Sequence, residues 1–360
     1  MSKTVIVAGA TGLVGSAALR HFGSNAECDV IALSRRPPRE LYGARHIPLD
    51  LTDADQCLAI AHHLCGATHL VYAALYEGPN LIDGWHDPHQ IAINDSMLRN
   101  LMAAIEPVSP GLRHVALLQG TKAYGVHVRP LKVPAREGRS EMYEQPNFYW
   151  AQESFLRNLQ RSKDWHFSIL RPVLIIGDAM SGAMDLIPPL GVYAAMCRED
   201  GRPLDYPGGA PRVSQAVDVD LLARAIAWSG ETPGARNEAF NVTNGDVFTW
   251  ENIWPAIADA LDMTCGEAAP LSLALSADAW RPRWDALRRT HDLASPTLDA
   301  FVGLSLQYAD YSLRYGHDEN GEPSVVSTVK LNQAGFTEMM DTEVMFAKWF
   351  RQARAQRWLP

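Results

Sequence analysis

The fold class of this 360-residue chain is indicated by the stretch Gly9-Ala10-Thr11-Gly12-Leu13-Val14-Gly15. It follows the short apolar run Thr4 to Ala8 (TVIVA), which is typical of a strand buried on both faces. Glycines at this spacing permit a tight turn, a close approach of the backbone to a pyrophosphate and close packing of the next helix. The amino end of that helix offers N–H groups and a partial positive charge to phosphates. The stretch therefore predicts a dinucleotide site; a glycine-rich turn that binds nothing is the alternative.

The first half of the chain alternates between strand-like and helix-like periods. Predicted strands cover 4–8, 30–33, 69–73, 114–119 and 167–170, and predicted helices cover 13–22, 52–65, 91–105 and 148–160. Repeated β–α–β units with short links predict an α/β fold, a Rossmann-type doubly wound parallel sheet.

After Gly177 the pattern changes, because glycine and proline become frequent and helices are predicted over 218–229, 250–262 and 338–356. We predict a dinucleotide-binding domain over 1–177 plus about 211–245, where the chain returns to the sheet near Phe240 to Thr243. A smaller, mostly helical C-terminal substrate lobe is predicted over about 178–210 and 246–360. Tryptophans at 250, 254, 280 and 284 are expected in the core of that lobe.

Composition and charge exclude several classes of protein. The chain is 47% apolar and 20% charged, as ordinary globular proteins are, and its 32 basic against 41 acidic side chains give a net charge of −9. A general binder of nucleic acid or anionic membranes needs the opposite sign. Five cysteines without CxxC spacing argue against disulfides and structural zinc, and we predict no metal. Reduced thiols, the lack of a signal peptide and the lack of a run of about 20 apolar residues favour a cytoplasmic protein.

The residues at the end of the second predicted strand indicate which dinucleotide binds. NAD sites usually place Asp or Glu there, whereas this chain has Ser34-Arg35-Arg36-Pro37. Two guanidinium groups and a hydroxyl suit a 2′-phosphate, so NADP(H) is predicted, with a solvated basic turn as the alternative. Asp50 and Leu51 are expected beside the adenine, or Asp50 serves as a helix cap. Because ligands bind at the carboxyl ends of such strands, further cofactor contacts are expected from Gly9, Thr11, Gly12, Leu13, Val14, Gly15, Ala73, Ala74, Gln119, Pro172 and Val173.

Two further motifs concern catalysis. The glycine spacing is similar to that of the short-chain dehydrogenase/reductase superfamily, especially its extended branch, whose usual catalytic pair is YxxxK on one helix. Here Tyr149 is followed at that spacing by Glu153 rather than lysine. A lysine occurs instead in Gly120-Thr121-Lys122-Ala123-Tyr124, just past the fifth predicted strand, from which Lys122 can reach the same site.

These motifs resemble those of one family, the progesterone 5β-reductase/iridoid synthase-like (PRISE) reductases. Asn147-Phe148-Tyr149 with Glu153 resembles its NFYYxxED signature, and the segment 120–124 resembles its TGxKHY. Segments 93–100, 192–197 and 237–248 are similar as well, so the likeness spans nearly the whole chain. The resemblance implies NADPH-dependent 1,4-reduction of the activated C=C bond of enones or enals, with Lys122 and Tyr149 catalytic. The chain departs from the family pattern at Gln119, at Ala123, at Trp150 and at Val126-His127-Val128, which replaces GPF.

The implied chemistry suits these side chains. Hydride arriving at the β-carbon pushes negative charge onto the carbonyl oxygen, and a donor aimed at that oxygen stabilises the enolate. Tyr149 can supply the donor because a phenol with a reference pKa of about 10 is neutral at pH 7. Lys122 can hold the nicotinamide ribose and make the phenol more acidic. Packing for Tyr149 and a surface position for Lys122 are the alternatives. The substrate pocket is predicted to include Tyr124, His127, Trp150 and Tyr193.

Two other functions stay open. The chain could be another extended short-chain enzyme, a carbonyl reductase or a nucleotide-sugar epimerase or dehydratase, although the absence of YxxxK argues against it. It could also be a non-catalytic NADP(H)-sensing protein, although the presence of Tyr149 and Lys122 argues against that. The predicted partner is a small apolar enone or enal, with no nucleic acid and no membrane, and a homodimer stays open.

Overall fold

The computed structural model describes residues 3–78, 83–180 and 182–360. Its largest sheet has seven parallel strands. The strands of the whole described chain are β1 Lys3–Ala8, β2 Cys28–Ser34, β3 Arg45–Pro48, β4 His69–Tyr72, β5 His114–Leu118, β6 His166–Pro172, β7 Leu174–Ile176, β8 Leu204–Tyr206, β9 Ala216–Asp218, β10 Glu238–Val242 and β11 Cys265–Ala268. The large sheet has the order β10-β6-β5-β4-β1-β2-β3. Its order reverses between β1 and β4, which is where doubly wound folds bind their ligands.

Helices connect these strands and form most of the remaining chain. They are α1 Leu13–Gly23, α2 Ala54–Ala59, α3 Pro88–Ile105, α4 Phe148–Gln160, α5 Ile187–Glu199, α6 Val219–Glu231, α7 Trp250–Ala260, α8 Leu273–Thr290, α9 Leu298–Val302, α10 Ser305–Ser312, α11 Val329–Gln333 and α12 Thr342–Ala355. In the sheet unit, α3 packs against α4 and α1 packs against α6. None of the helices in the described ranges is long and apolar enough to cross a bilayer.

The sheet is a buried core, and this explains why its strands were predictable. Val5 to Ala8 in β1 and all four residues of β4 are buried, as expected for strands covered on both faces. Ile6, Leu70 and Leu117 share one apolar cluster with Leu98 of α3 and Leu156 of α4. The α/β class and the doubly wound parallel sheet are therefore confirmed.

One predicted helix is wrong. The sequence pattern predicts a single helix over 52–65, but α2 ends at Ala59 and a separate 3₁₀ turn follows over Ala61–Leu64. Asp53 caps α2 by accepting a hydrogen bond from the backbone N–H of Gln56. Apolar spacing over so short a segment does not resolve the change in hydrogen-bond pattern after Ile60.

The chain divides into two units. The first comprises Met1–Val173, Val219–Val242 and Val326–Glu338, and the second comprises Leu174–Asp218, Thr243–Val325 and Met339–Pro360. No sequence pattern indicated that 326–338 belongs with the sheet. In the second unit, Trp250, Trp254, Trp280 and Trp284 are buried, as predicted. Helices α5 and α8 were not predicted, because Pro188 and Pro189 open the first and Pro282 lies inside the second.

Candidate active site

The turn after β1 is built so that only glycine fits at two positions. Gly9 has φ +80°, and the backbone of Ala73 and Ala74 lies 2.7 Å from where its Cβ would be. A Cβ on Gly15 would lie 2.1 Å from the carbonyl oxygen of Gly9. A side chain at either position would therefore push α1 or β4 away from β1.

The amino end of α1 has room and donors for a phosphate. A Cβ on Gly12 would meet only the carbonyl of Gly9, at 3.4 Å, so the space in front of Gly12 is open. Gly12 is also the N-cap residue, and α1 has no side-chain cap and no acidic residue in its first turn. Thr11 and Gly12 are exposed and Leu13 and Val14 are half-buried. The first-turn N–H groups, together with the helix dipole, therefore fit a pyrophosphate.

The predicted adenosine end lies at the carboxyl end of β2. Arg35 and Arg36 are exposed there, and the Ser34 hydroxyl donates to the carbonyl of Arg36 at 2.6 Å. The Asp50 carboxylate accepts from both the N–H and the hydroxyl of Thr52, and these bonds lower its pKa. Asp50 is thus held in its own turn and does not cap α2. Leu51 is buried, and its carbonyl accepts from Asn100.

Asn147 joins the two segments that carry the proposed catalytic residues. It is the N-cap of α4, and its side-chain oxygen accepts a hydrogen bond from the backbone N–H of Tyr149 at 3.0 Å. Its side-chain nitrogen donates to the carbonyl of Lys122 at 3.3 Å. Lys122 itself lies in the 3₁₀ turn Thr121–Tyr124, which follows β5. The first residue of the NFY motif therefore ties the start of the tyrosine helix to the lysine turn.

The hydroxyl of Tyr149 lies at the carboxyl edge of the sheet. It is 3.3 Å from the position that a Cβ of Gly120 would take, and the carbonyl of Pro172 is 3.5 Å from the same point. The side chain is buried, and burial raises the pKa of Tyr149 well above its usual value. Tyr149 is thus a neutral hydrogen-bond donor placed between the ends of β5 and β6.

Trp85 contacts both proposed catalytic side chains, and the sequence analysis missed it. It lies in the 3₁₀ turn Asp83–His86 and is 2% exposed. The Nζ atom of Lys122 is 3.8 Å from its ring centroid, and the ring of Tyr149 packs against it edge-on, with centroids 5.4 Å apart. Nothing in the turn-rich stretch before α3 distinguishes this tryptophan from a core residue.

The electrostatics of the site set the charge states near pH 7. Burial lowers the pKa of Lys122 to about 8, although the Glu77 carboxylate acts in the opposite direction. Burial raises the pKa of Glu77 itself, and Lys122 opposes that shift. Burial, Lys122 and His86 together lower the pKa of His127 to about 4. Lys122 is therefore charged and His127 neutral at physiological pH.

Gln119 and Tyr124, two of the predicted site residues, form hydrogen bonds with buried groups of the protein. Gln119 accepts from Arg171 Nε at 2.8 Å and donates to the carbonyl of Tyr149 and to Glu153, each at 3.2 Å. The Tyr124 hydroxyl accepts from Arg171 at 3.2 Å and donates to Asn241 at 2.7 Å. The polar groups of Gln119 and Tyr124 are therefore bonded to buried side chains at the ends of β6 and β10.

The other predicted pocket and cofactor residues lie in different parts of the chain, and several of them contact protein groups. Trp150 Nε1 donates to the carbonyl of Met142 at 3.1 Å, and half-buried His127 stacks on His86 with ring centroids 5.0 Å apart. Val173 N–H donates to the carbonyl of Val242, beside buried Pro172. Tyr193 is buried in the second unit, where its hydroxyl donates to the carbonyl of Asp205.

No metal site accompanies this arrangement in the part of the chain that the structure describes. There, no group of three or more His, Cys, Asp or Glu side chains could hold a metal ion.

Comparisons with known proteins agree with the resemblance drawn from the motifs. The (S)-8-oxocitronellyl enol synthase of Antirrhinum majus is 27% identical over 378 residues, covering 99% of this chain and 93% of that protein. The 3-oxo-Delta(4,5)-steroid 5-beta-reductase of Arabidopsis thaliana is 28% identical, with the same two coverages. A short chain dehydrogenase of Penicillium aethiopicum is 31% identical over 72% of this chain and 71% of its own length.

Solved structures show the same fold at lower identity. The UDP-N-acetylglucosamine 4-epimerase from Methanobrevibacter ruminantium M1 superposes with a TM-score of 0.69 at 16% identity, covering 99% of both chains. A short-chain dehydrogenase/reductase superfamily protein from Agrobacterium tumefaciens has a TM-score of 0.65, also at 16% identity, covering 99% of this chain and 98% of that one. A family model described as the PRISE-like Rossmann-fold domain matches residues 78–360. This chain therefore belongs to the PRISE-like Rossmann-fold family.

Proposed function

We propose that this chain is an NADPH-dependent oxidoreductase that reduces the activated C=C bond of small apolar enones or enals. The observation that carries the proposal is the convergence of Tyr149 and Lys122, from separate segments, on Trp85 at the carboxyl edge of the sheet. Family membership supports the reaction class, since relatives include an enol synthase and a steroid 5-beta-reductase. Position 153, where YxxxK would require lysine, holds a buried glutamate that pairs with Arg171 and Arg157.

Tyr149 and Lys122 have separate roles in the proposed 1,4-reduction. When bound, NADPH supplies the hydride that adds to the β-carbon of the substrate. The Tyr149 hydroxyl donates a hydrogen bond to the carbonyl oxygen and stabilises the negative charge that develops there. The ammonium of Lys122 holds the ribose and adds positive charge to the site. A proton from water at the α-carbon completes the saturated carbonyl compound.

The cofactor preference follows from the end of β2. Exposed guanidinium groups of Arg35 and Arg36 are available to a 2′-phosphate, and each charge-assisted bond is worth about 1.5–3 kcal/mol. The double variant Arg35→Ala/Arg36→Ala should therefore bind NADPH at least tenfold more weakly while NADH affinity changes little, as measured by fluorescence titration. Equal weakening for both dinucleotides would contradict the preference.

The reaction class is tested with matched substrates. Purified protein is mixed with NADPH and with 2-hexenal, cyclohexenone or cyclohexanone, and both NADPH absorbance and products are followed. We expect saturated aldehyde or ketone from the first two compounds and no reaction with cyclohexanone. Reduction of cyclohexanone would instead favour a carbonyl reductase, and binding of NADPH without any turnover would favour a sensing protein.

The role of Tyr149 is tested in the same assay. Tyr149→Phe should keep NADPH affinity and lose about 100-fold in turnover, because one oxyanion donor is worth about 3 kcal/mol. Tyr311→Phe, at an exposed tyrosine of the second unit, is the matched control and should leave turnover unchanged. Unchanged turnover in Tyr149→Phe removes Tyr149 from the mechanism.

A cytoplasmic location and a homodimer remain predictions from the sequence. Light scattering on the purified protein would show whether it is a monomer or a dimer.

A further inference from the structure

The indole of Trp85 contacts both of the proposed catalytic side chains. Its ring centroid is 3.8 Å from Nζ of Lys122 and 5.4 Å from the ring centroid of Tyr149, with the two rings inclined at 72°. We propose that Trp85 is the positioning residue of this pair: its face holds the ammonium of Lys122, and the same indole fixes the phenol ring of Tyr149. The inference rests on the roles proposed above for Lys122 and Tyr149.

The arrangement of the pair explains why a third residue is needed. In YxxxK enzymes, both side chains stand on one helix, four residues apart, so helix geometry fixes their spacing. Here Lys122 is in a 3₁₀ turn and Tyr149 is in the first turn of α4, with residues 125–147 between these elements. Asn147 joins the two backbones, whereas Trp85 contacts both side chains. The ring of Phe148 packs against the indole of Trp85, with ring centroids 4.8 Å apart, and restricts its position.

The same contact favours the charged form of the lysine. A cation over the face of a desolvated indole is attracted by the electron density of the ring, and a neutral amine is not. Burial acts in the opposite direction and lowers the pKa of Lys122 to about 8. Among the described residues, the titratable groups that affect the amine or are affected by it are Glu77, which supports its charge and accepts a hydrogen bond from Trp85, and His127, which is neutral near pH 7. Trp85 and Glu77 thus keep the ammonium charged at neutral pH.

The test measures the lysine directly in the ligand-free protein. The chain has only six lysines, so the ¹³Cε signals of ¹³C-lysine-labelled protein can be followed by NMR, and Lys122→Arg identifies the signal of Lys122. Trp85→Phe keeps an aromatic ring against Tyr149, weakens the attraction for a cation and removes the indole N–H that bonds Glu77. Fluorinated tryptophan at position 85 keeps that N–H and changes the attraction alone. We expect the titration midpoint of Lys122 to fall by about half a pH unit. Trp228→Phe, which lies beside Phe240 and Phe336 in the same unit, is the matched control and should leave the midpoint unchanged.

Turnover provides the second measurement. In Trp85→Phe the alkaline limb of the pH profile should move to lower pH by the same amount, and turnover at pH 7 should fall threefold to tenfold. An unchanged titration midpoint of Lys122 would overturn the proposal. Should Trp85→Phe fail to fold, fluorinated tryptophan introduced at position 85 keeps the shape and withdraws ring electron density, with the same expected direction.

The two proposals can fail separately. Lys122→Met that retains full turnover would refute the catalytic role of the lysine, yet the NMR titration would still measure its contact with Trp85. Conversely, a normal substrate profile with an unchanged midpoint in Trp85→Phe would refute only the positioning role.

Discussion

Two groups of buried polar side chains flank the start of α4, and they differ in whether their hydrogen bonds are made. The scaffold network consists of Gln119, Tyr124, Glu141, Glu153 and Arg171. Arg171 is 1% exposed and bonds to the other four members. The site wall consists of Glu77, Trp85 and His127, close to Lys122. Within the described ranges, Glu77 Oε1 and both ring nitrogens of His127 are buried without a hydrogen-bond partner. The indole N–H of Trp85 faces the Glu77 carboxylate and lowers its pKa, against the effect of burial.

This difference distinguishes the scaffold network, which stabilises the fold, from the site wall, which lies beside the proposed catalytic pair. A buried polar atom without a partner costs about 1–3 kcal/mol, whereas a satisfied network fixes a unique geometry. The scaffold network holds the ends of β5 and β6 and the tyrosine helix in register. The site wall keeps unsatisfied groups beside the proposed catalytic pair, at a cost in stability.

The largest expected effect is in the scaffold network. Arg171→Met leaves the carboxylates of Glu141 and Glu153 buried without their shared partner, which should lower the free energy of unfolding by about 3–5 kcal/mol. Chemical denaturation measures the loss. Arg157→Met is the control, because its guanidinium pairs with the same Glu153 but is 44% exposed, so less than about 1 kcal/mol is expected. Equal losses in the two variants would show that the network adds nothing beyond a surface ion pair.

A second prediction separates the two groups by titration. Lys122, beside the site wall, titrates near neutrality, because burial lowers its pKa to about 8. Burial alone would raise the pKa of Glu141, but the hydrogen bond and charge of Arg171, together with the backbone N–H of Gly138, outweigh burial and hold the pKa below its usual value. Since the proposed mechanism uses the charged form of Lys122, kcat/KM should be level from about pH 6 to 8 and fall tenfold per pH unit above that. A profile that stays level to pH 10 would contradict this assignment.

A smaller effect is expected where the scaffold meets the reacting groups. Gly120 has φ −176°, an extended conformation open to any residue, so alanine introduces no backbone strain. Its methyl group would lie 3.3 Å from the Tyr149 hydroxyl and displace it by a few tenths of an ångström. Gly120→Ala should therefore lower kcat by about threefold to tenfold with little change in stability. Gly111→Ala, whose Cβ would meet nothing within 4 Å, is the control; a loss of kcat in both variants would remove the hydroxyl contact as the cause.

The sequence predicted the scaffold of the site better than its wall. Buried parallel strands are uninterrupted apolar runs, so β1 was predicted within one residue, and α4 was predicted at its observed bounds. Tyr149 and Lys122 were named from their motifs because residue spacing alone showed only an incomplete YxxxK. Trp85 and Glu77 were missed because they lie in a turn-rich stretch without periodicity, and only the folded backbone brings them to Lys122.

The weakest expected effect has the opposite sign to the largest. His127 has two buried ring nitrogens without partners, so His127→Leu, of similar size, should raise the free energy of unfolding by about 1 kcal/mol. His86→Leu is the control, because His86 stacks on His127 but is exposed, and it should change stability by less than about 0.5 kcal/mol. A loss of stability in His127→Leu would mean that the imidazole packs better than its missing hydrogen bonds imply. The site wall would then differ from the scaffold network in function but not in its contribution to the fold.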